Sequence, residues 1–346
     1  MKAIVYHKSG SGAVLKLEEI EKPVPKDDEV LIRARAASVN PLDYHLLRHT
    51  FLRRVMSTVS KLKITRPGRD VAGEVEAVGR NVTQFKAGDQ VFGACNGSFA
   101  EYACAPESAF ARKPANLSFE QAASVPVAGL TALQGLRDKG HIQPGQKVLI
   151  NGAAGGVGTF AVQIAKSFRA DVTGVCSTRN VEMVRSIGAD KVIDYTREDF
   201  TSSGQHYDVI FDLVANHSFS ERRRVLTPKG IYIGAGMLGR SLSMIGVLTS
   251  GITELVLSSF VSQKFVSFLA KLNQKDLTAI AALMEEGKVT PIIDRRYSLS
   301  EAADAVRYVE EGHARGKVII DCRLAIGVQS PSNCNANQIK SASSDA

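Results

Sequence analysis

The sequence predicts an α/β protein with two parts, an antiparallel barrel-type sheet and a doubly wound parallel sheet with helices on both faces. The chain has 346 residues, which is more than a single hydrophobic core usually supports. Short strand-like runs broken by Pro, Gly and Asp occupy the chain up to about residue 122. From about residue 123 strands and helices alternate, which is typical of a parallel sheet. We therefore expect two domains.

The first part consists of strand-like runs separated by turn-forming residues. In chain order they read KAIVY, EVLIRARAASV, DVAGEVEAVG, DQVFGA and FAEYACAP. Runs of this length with frequent breaks are typical of antiparallel sheets and barrels.

The second part repeats a strand followed by a helix. The runs are KVLI and its following helix FAVQIAKSF, DVTGVC and NVEMVRSIG, KVID, YDVIFDLV and FSERRRVL, and GIYIGAG. The last stretch, YSLSEAADAVRYVEEGHARGKVIIDC, predicts a helix followed by a strand.

Three further passages need separate interpretation. Residues 241–261 are nearly long enough to span a bilayer but contain Glu254, and a charge at the centre of a spanning helix is costly, so we expect buried helices. Residues 46–70 mix basic and apolar side chains; we expect a loop and short helix over a pocket, with peripheral membrane contact as the alternative. The tail, 323–346, is rich in Ser, Asn and Ala, and we expect it to be disordered or loosely packed.

Composition and charge narrow the class of protein only a little. The chain is 44% hydrophobic and 23% charged, and its formal net charge of +8 suits an anionic ligand, nucleic acid or an anionic surface. Its five cysteines form no C-x-x-C pair, which argues against a disulfide framework. The N-terminus lacks the apolar segment of a secretory signal. We expect a cytoplasmic protein.

A glycine-rich turn follows the strand KVLI. Its sequence, NGAAGGVG, places Gly152, Gly155 and Gly158 at three-residue intervals before a predicted helix. In a dinucleotide-binding unit such glycines allow a sharp turn, close approach to the pyrophosphate and close helix–strand packing. A flexible turn is the alternative, but the position between a strand and a helix favours nucleotide binding.

The residues after the second strand of this part indicate which nucleotide binds. An NAD site normally has Asp or Glu there, whereas this chain has STRN after Cys176. Ser177 and Arg179 can donate hydrogen bonds to a 2′-phosphate, which carries about −1.5 to −2 charges. We therefore expect NADP(H); the alternative is that Arg179 only faces water.

The chain resembles the zinc-independent medium-chain dehydrogenase/reductases, specifically the quinone oxidoreductase and enone reductase branch. The resemblance covers Met1 to about Cys322 and is carried by ordered motifs: SVNPLDY, PGRDVAGEVEAVG, GSFAEY, AASVPVAGLTALQGL, NGAAGGVG, SIGADKVIDY and GHARGKVII. It implies a GroES-like catalytic domain of residues 1–122 and 287–322, a Rossmann nucleotide-binding domain of residues 123–286, and a cleft between them. We also expect a homodimer.

The resemblance also implies a set of cofactor contacts. The residues carried over from the motifs are Asn40, Thr131, Gly155, Gly156, Val157, Ser177, Arg179, Tyr195, Leu213, Gly234 and Lys317.

The zinc alcohol dehydrogenases that this chain also resembles have ligands that are missing here. They carry Cys near SVNPLDY and Gly-His-Glu where this chain has Gly68-Arg69-Asp70. Catalytic zinc needs about three converging N, O or S ligands. Cys95 and Cys104 cannot supply the four Cys of a structural zinc site. We expect no metal, and therefore hydride transfer to an electron-poor quinone or enone rather than alcohol oxidation.

The group that meets the developing negative charge is open at this point. The resemblance places NPLDYHLLRH along the cleft, and plant enone reductases commonly have Lys where this chain has His45. His45 or Tyr44 could donate to the oxyanion, with Asn40 beside them, and an ordered water is a further alternative. The other interpretations are a His45 without a chemical role and a Tyr44 that packs in the core. Asp43 is expected to cap the helix or to form a local salt bridge rather than to act as a base, and Cys95 and Cys104 are expected to pack.

A non-enzymatic function is the alternative to a reductase. Some members of the family bind NADPH and serve as structural or RNA-binding proteins, and the net charge permits that. The basic run Arg222–Arg224 has no interleaved aromatic residues and the chain has no Trp, whereas nucleic-acid binders usually combine a basic track with stacking platforms. We therefore do not expect nucleic acid as a partner.

Overall fold

The computed structural model describes residues 1–7, 10–48, 66–235 and 262–323. The predictions for residues 241–261, for the tail beyond residue 323 and for residues 49–65 of the basic segment lie outside the described residues. The strands of the described chain, in order, are β1 Lys2–Val5, β2 Lys16–Glu19, β3 Glu29–Val39, β4 Asp70–Val78, β5 Gln90–Ala94, β6 Tyr102–Pro106, β7 Phe110–Arg112, β8 Lys147–Asn151, β9 Asp171–Cys176, β10 Lys191–Asp194, β11 Tyr207–Asp212, β12 Leu226–Gly234, β13 Lys264–Ser267, β14 Ile293–Ser298 and β15 Lys317–Asp321.

Three of the described α-helices begin at residues whose side chains cap them. Ser118 and Ser218 each form a capping box with the residue three positions on, Gln121 and Glu221, and Asn273 caps a third helix through its side chain. The described helices are α1 Pro41–Arg48, α2 Phe119–Ala123, α3 Pro126–Gln134, α4 Gly156–Ser167, α5 Val181–Ser186, α6 Phe219–Arg224, α7 Gln274–Glu285 and α8 Ala302–Glu310. A π-helical turn, Gly135–Lys139, follows α3.

The larger sheet of the described chain joins strands from both chain ends. Its order is β14-β15-β3-β4-β5-β7, with β6 also paired to β3. All pairs are antiparallel except β14–β15. Val306 of helix α8 and Ile320 of β15 share a hydrophobic core with Ile32 and Phe110. Residues after about 290 therefore complete the sheet that the first 112 residues begin.

The second sheet is entirely parallel, with the order β10-β9-β8-β11-β12-β13. Counting from β8 as the first strand, this is the 3-2-1-4-5-6 order of a doubly wound fold. Its core includes Val148, Phe160 and Phe211, all fully buried. Strand order reverses between β8 and β11, and ligands of such sheets bind outside the carboxyl ends at that point.

The predicted fold class, α/β with an antiparallel sheet and a doubly wound parallel sheet, is confirmed. The domain limits at residues 122, 286 and 322 stay a prediction. The two sheets meet where β15 passes the turn before helix α4, since Gly316 and Gly155 form a parallel bridge.

Candidate active site

The turn between β8 and α4 has the backbone geometry of a dinucleotide-binding loop. Gly152 has φ of +89°, a conformation that residues with a β-carbon rarely adopt. A β-carbon at Gly158 would lie 2.1 Å from the carbonyl oxygen of Gly152, so only glycine permits this packing of helix on strand. Helix α4 begins at Gly156, and its first N–H groups have no intrahelical acceptors. They can bind a pyrophosphate.

The same turn is joined to the C-terminal part of the chain. The N–H of Gly316 donates to the carbonyl oxygen of Ala154 at 2.9 Å. A β-carbon at Gly156 would lie 3.0 Å from Cδ of Lys317, so the aliphatic part of this lysine lies beside the turn. Val157, the next residue of helix α4, is half-buried and packs against the core of the parallel sheet.

The edge of the parallel sheet beyond β9 and β10 brings together the side chains predicted for the 2′-phosphate. Arg179 is exposed and donates from Nη2 to the carbonyl oxygen of His313 at 2.8 Å. Ser177 is half-buried, and its Oγ accepts from Nδ2 of Asn180 at 3.1 Å. Tyr195 is 62% exposed, so its ring is available for stacking. A hydroxyl, a guanidinium and an aromatic ring therefore lie at one sheet edge.

Asp194 is a carboxylate near this edge that the sequence analysis did not identify. It ends β10 directly opposite Cys176. Its Oδ2 accepts from Oγ1 of Thr178 at 2.6 Å, and its Oδ1 accepts from Oγ1 of Thr196 at 2.7 Å. These bonds, led by that from Thr178, lower the pKa of Asp194. The register of neighbouring parallel strands is the signal that could have found it, because their carboxyl ends share an edge.

A hydrogen-bonded carboxylate lies at the carboxyl end of β11, next to the point where the strand order reverses. Asp212 at the end of β11 is 1% exposed. It accepts from Nδ2 of Asn151 at 2.9 Å, from the Tyr232 hydroxyl at 2.9 Å, and from the N–H groups of Val214 and Ala215, both at 2.9 Å. A carboxylate with four donors holds the loop after β11 in place.

Two of the predicted cofactor contacts lie beside Asp212. Leu213, in that loop, is half-buried and donates its N–H to the carbonyl oxygen of Asn151 at 3.1 Å. Gly234 is buried and pairs with Asp212 across β11 and β12.

A buried polar cluster links the antiparallel sheet to the glycine-rich turn. Nζ of Lys317 donates to Oδ1 of Asn40 at 2.7 Å and to the carbonyl oxygen of Val39 at 3.2 Å. Nδ2 of Asn40 and Oγ of Ser38 both donate to Oδ2 of Asp70, at 2.9 and 2.8 Å. Lys317 is 3% exposed and Asp70 is fully buried, with Nζ and Oδ2 3.6 Å apart. Burial lowers the pKa of Lys317.

Asp70 also reaches the helix that carries Thr131. Its Oδ1 accepts from the N–H of Val127 at 3.0 Å, in the first turn of α3. Thr131 lies one turn further along and donates from Oγ1 to the carbonyl oxygen of Val127 at 2.7 Å. Asp70 therefore links Asn40 to the first turn of the helix that carries Thr131, and contact of Asn40 and Thr131 with a cofactor stays a prediction.

The side chains of helix α1 have different surroundings on its two sides. Oδ2 of Asp43 accepts from the N–H of Asn40 at 2.8 Å, so Asp43 caps the helix start as expected. Burial raises the pKa of Asp43 to about 7. Tyr44 is half-buried against the core of the antiparallel sheet, and the His45 ring lies 4.3 Å from the Tyr44 ring between centroids.

A small pocket lies beside this helix. Asp43 and Leu46, three residues apart, line it from α1, and Arg69 and Arg66 line it from the segment before β4. The full lining is Tyr6, Asp43, Leu46, Arg66, Pro67, Gly68, Arg69 and Asn96. His45 and Tyr44 do not line it, and their roles stay predictions.

The cysteines of the described chain are free thiols. Burial raises the pKa of Cys95 to about 12 and that of Cys104 to about 11. Thiols with such pKa values are poor nucleophiles near neutral pH, in agreement with a packing role.

Comparison with known proteins identifies the family. Residues 26–115 match the family described as "Alcohol dehydrogenase GroES-like domain", and residues 187–320 match "Zinc-binding dehydrogenase". The "Chloroplast envelope quinone oxidoreductase homolog" of Arabidopsis thaliana is 34% identical over 93% of this chain and 98% of its own length. The chain belongs to the medium-chain dehydrogenase/reductase superfamily.

Two further members of this superfamily sharpen the comparison. The "NADPH-dependent alkenal/one oxidoreductase, chloroplastic" of Arabidopsis thaliana is 35% identical over 92% of this chain and 79% of its own length. The solved quinone oxidoreductase of Coxiella burnetii has a TM-score of 0.81 and 32% identity, and covers 93% of this chain and 99% of that one. This medium-chain dehydrogenase/reductase therefore has oxidoreductase relatives along most of its length, and the GroES-like and Rossmann-type domains are confirmed.

Two absences concern the described residues of this medium-chain dehydrogenase/reductase alone. Within residues 1–7, 10–48, 66–235 and 262–323, no group of three or more His, Cys, Asp or Glu side chains is placed to hold a metal ion. In the same ranges no helix combines the length and the apolar character needed to cross a membrane.

Proposed function

We propose that this protein is an NADPH-dependent reductase that transfers a hydride to quinones or α,β-unsaturated carbonyl compounds without zinc. One observation carries the proposal: the glycine-rich turn lies against the Asn40–Lys317–Asp70 cluster, since a β-carbon at Gly156 would lie 3.0 Å from Cδ of Lys317. The quinone and enone reductases among the relatives support it. They favour it over a purely structural or RNA-binding role.

The residues present fit NADPH as a cofactor. Among the described residues, a β-carbon at Gly155 would meet only the carbonyl oxygen of Gly152, at 3.5 Å, so the turn leaves this glycine open at the start of helix α4, where a pyrophosphate can bind. The residues proposed to hold the cofactor are Asn40, Thr131, Gly155, Gly156, Val157, Ser177, Arg179, Tyr195, Leu213, Gly234 and Lys317. When bound, NADPH supplies a hydride from its nicotinamide ring.

The side chains of the polar cluster position the cofactor and polarise the acceptor. Lys317 and Asp70 fix both ends of the Asn40 amide through bonds of 2.7 and 2.9 Å, so that this amide is oriented before a cofactor arrives. Asp212 fixes the loop that carries Leu213. The residues Asn40 and Arg69 stand in the two motifs where the zinc enzymes carry ligands, and an amide and a guanidinium do not make a zinc site.

A panel of quinones and enones tests the activity. NADPH oxidation by the purified full chain is followed by absorbance, with each acceptor in turn and with none. We expect acceptor-dependent turnover with at least one member. Tight NADPH binding without turnover on any member would favour the non-enzymatic alternative instead.

Cofactor preference is a separate prediction. Ser177 and Arg179 are proposed to donate to the 2′-phosphate, and one charge-assisted hydrogen bond contributes about 1.5 to 3 kcal/mol. Since about 1.4 kcal/mol is tenfold in affinity, NADPH should bind at least about tenfold more tightly than NADH. Arg179→Met should remove most of this difference. Arg80→Met, on the other domain and 79% exposed, is the matched control.

Fluorescence titration of both cofactors measures the preference. Equal affinities in the wild type, or an unchanged preference in Arg179→Met, would contradict the assignment of this sheet edge.

The remaining proposals concern assembly and location. We propose a homodimer, to be tested by light scattering, and a cytoplasmic protein, to be tested by fractionation. We also propose domain limits of 1–122 with 287–322 and of 123–286, to be tested by limited proteolysis. Neither nucleic acid nor a membrane surface is proposed as a required partner; retention on RNA or on anionic vesicles at physiological salt would contradict this.

A further inference from the structure

The pocket beside helix α1 is lined by two guanidinium groups. Arg69 and Arg66 are both half-buried, and they share the pocket with the carboxyl of Asp43. Nη1 of Arg69 donates to Oδ1 of Asn96 at 2.6 Å. Because a guanidinium has five N–H donors, the same side chain can hold a second acceptor while Asn96 fixes its position.

The pocket adjoins the end of the cleft where the nicotinamide is proposed to bind. Arg69 directly precedes Asp70, which accepts from Nδ2 of Asn40 and from the N–H of Val127. Asp43 accepts from the N–H of Asn40 at 2.8 Å. Arg69 and Asp43 therefore each connect the pocket to the Asn40–Lys317–Asp70 cluster, which contacts the glycine-rich turn.

Asp43 cancels only part of the positive charge of the pocket. Its carboxyl is 3% exposed and faces the charges of Arg69, Lys317 and Asp70. Burial raises its pKa to about 7, so a large fraction of this carboxyl is neutral near pH 7. The pocket keeps a net positive potential where an acceptor would enter.

We propose that Arg69 is a catalytic residue that donates hydrogen bonds to the acceptor oxygen and stabilises the negative charge that develops on it. The proposal rests on the reductase function above. Hydride addition to the β-carbon of an enone breaks its carbon–carbon π bond, and the electron pair passes through the conjugated system to the carbonyl oxygen, giving an enolate. Water then protonates the α-carbon and is left as hydroxide. With a quinone, the hydroquinone monoanion forms and takes one proton from water.

Arg69 fits this role better than Lys317, the buried cation of the polar cluster. The ammonium of Lys317 is 3% exposed and is directed at Asn40 and the carbonyl oxygen of Val39. It orients a neighbour and does not face the pocket. Arg69 lines the pocket and is held by Asn96, so it can serve there as a fixed cationic electrophile.

The first test compares variants in turnover and in cofactor binding. Arg69→Met should lower kcat/KM for a quinone or enone about a hundredfold, as expected for loss of one oxyanion donor, and leave the Kd of NADPH within about twofold. Arg69→Lys should recover part of the activity. Arg80→Met should behave as wild type. An Arg69→Met enzyme with wild-type kcat/KM would overturn the proposal.

The second test does not depend on turnover. A nitrophenol is the probe, because its phenolate carries negative charge on one oxygen, as an enolate does, and absorbs visible light. Wild-type protein should lower the apparent pKa of the bound nitrophenol relative to Arg69→Met, and Arg69→Lys should restore most of the effect. Identical ionisation in wild type and Arg69→Met would overturn the proposal. An inactive wild type with Arg69-dependent ionisation would support the oxyanion site while the reductase function fails.

Discussion

Replacement of Asp43 by asparagine should change how the stability of the protein depends on pH. The folded chain raises the pKa of Asp43 from the ordinary value of 3.8 to about 7, chiefly through burial. The folded state therefore binds more protons than the unfolded state between about pH 4 and pH 7. Since stability falls with pH wherever the folded state binds the extra proton, ionisation of Asp43 destabilises the fold as pH rises through this window.

The magnitude follows from the difference in pKa. A pKa that is about 3 higher, at about 1.36 kcal/mol for each unit, corresponds to about 4 kcal/mol of stability lost between pH 4 and pH 8. The asparagine side chain of the variant cannot ionise, and its amide oxygen can still accept from the N–H of Asn40. The free energy of unfolding of Asp43→Asn minus that of wild type should therefore rise by up to about 4 kcal/mol between the two pH values.

Urea unfolding followed by circular dichroism at pH 4 and pH 8 measures this difference, because effects common to both proteins cancel. The matched control is Asp27→Asn, since Asp27 is 54% exposed and paired with Arg80. It should change stability by less than about 1 kcal/mol at either pH. A difference between Asp43→Asn and wild type that is the same at both pH values would refute the argument from burial.

Two further predictions follow from the cleft. His45→Ala should lower kcat/KM by less than about tenfold if Arg69 carries the oxyanion role, because His45 does not line the pocket; a loss of a hundredfold or more would return that role to His45. Exhaustive dialysis against a chelator should leave both folding and activity unchanged, and stoichiometric zinc by elemental analysis would contradict this.

The fold and the glycine-rich turn could be predicted because both depend on local patterns. Strand–helix alternation indicated the parallel sheet, and the spacing of Gly152, Gly155 and Gly158 placed the turn between β8 and α4, where the structure has it. The side chains around the turn could be predicted only in part. Asp194 lies near them because of the register of a neighbouring strand, which the nearby sequence does not indicate.

The polar cluster was less predictable for the same physical reason. Lys317 and Asn40 are 277 positions apart, and no periodicity links them. The two faces of α1, in contrast, could have been separated from the sequence. Residues three apart share a helix face, so the sequence separates Asp43 and Leu46 from Tyr44 and His45. Which of these residues line the pocket could be learned only from the structure.

The buried pair of Lys317 and Asp70 is better explained by the groups that it holds in place than by a contribution to the free energy of unfolding. A buried ion pair often contributes little net stability compared with apolar residues of the same volume, whereas loss of one partner leaves a costly unpaired charge. Here the methylenes of Lys317 lie beside Gly156 and its ammonium holds Asn40, while Asp70 holds Asn40 and the first turn of α3. Because Lys317 contacts both the turn and Asn40, and Asp70 contacts both Asn40 and α3, these elements are held in one arrangement. An apolar pair would fill the space and would leave the Asn40 amide without its two partners.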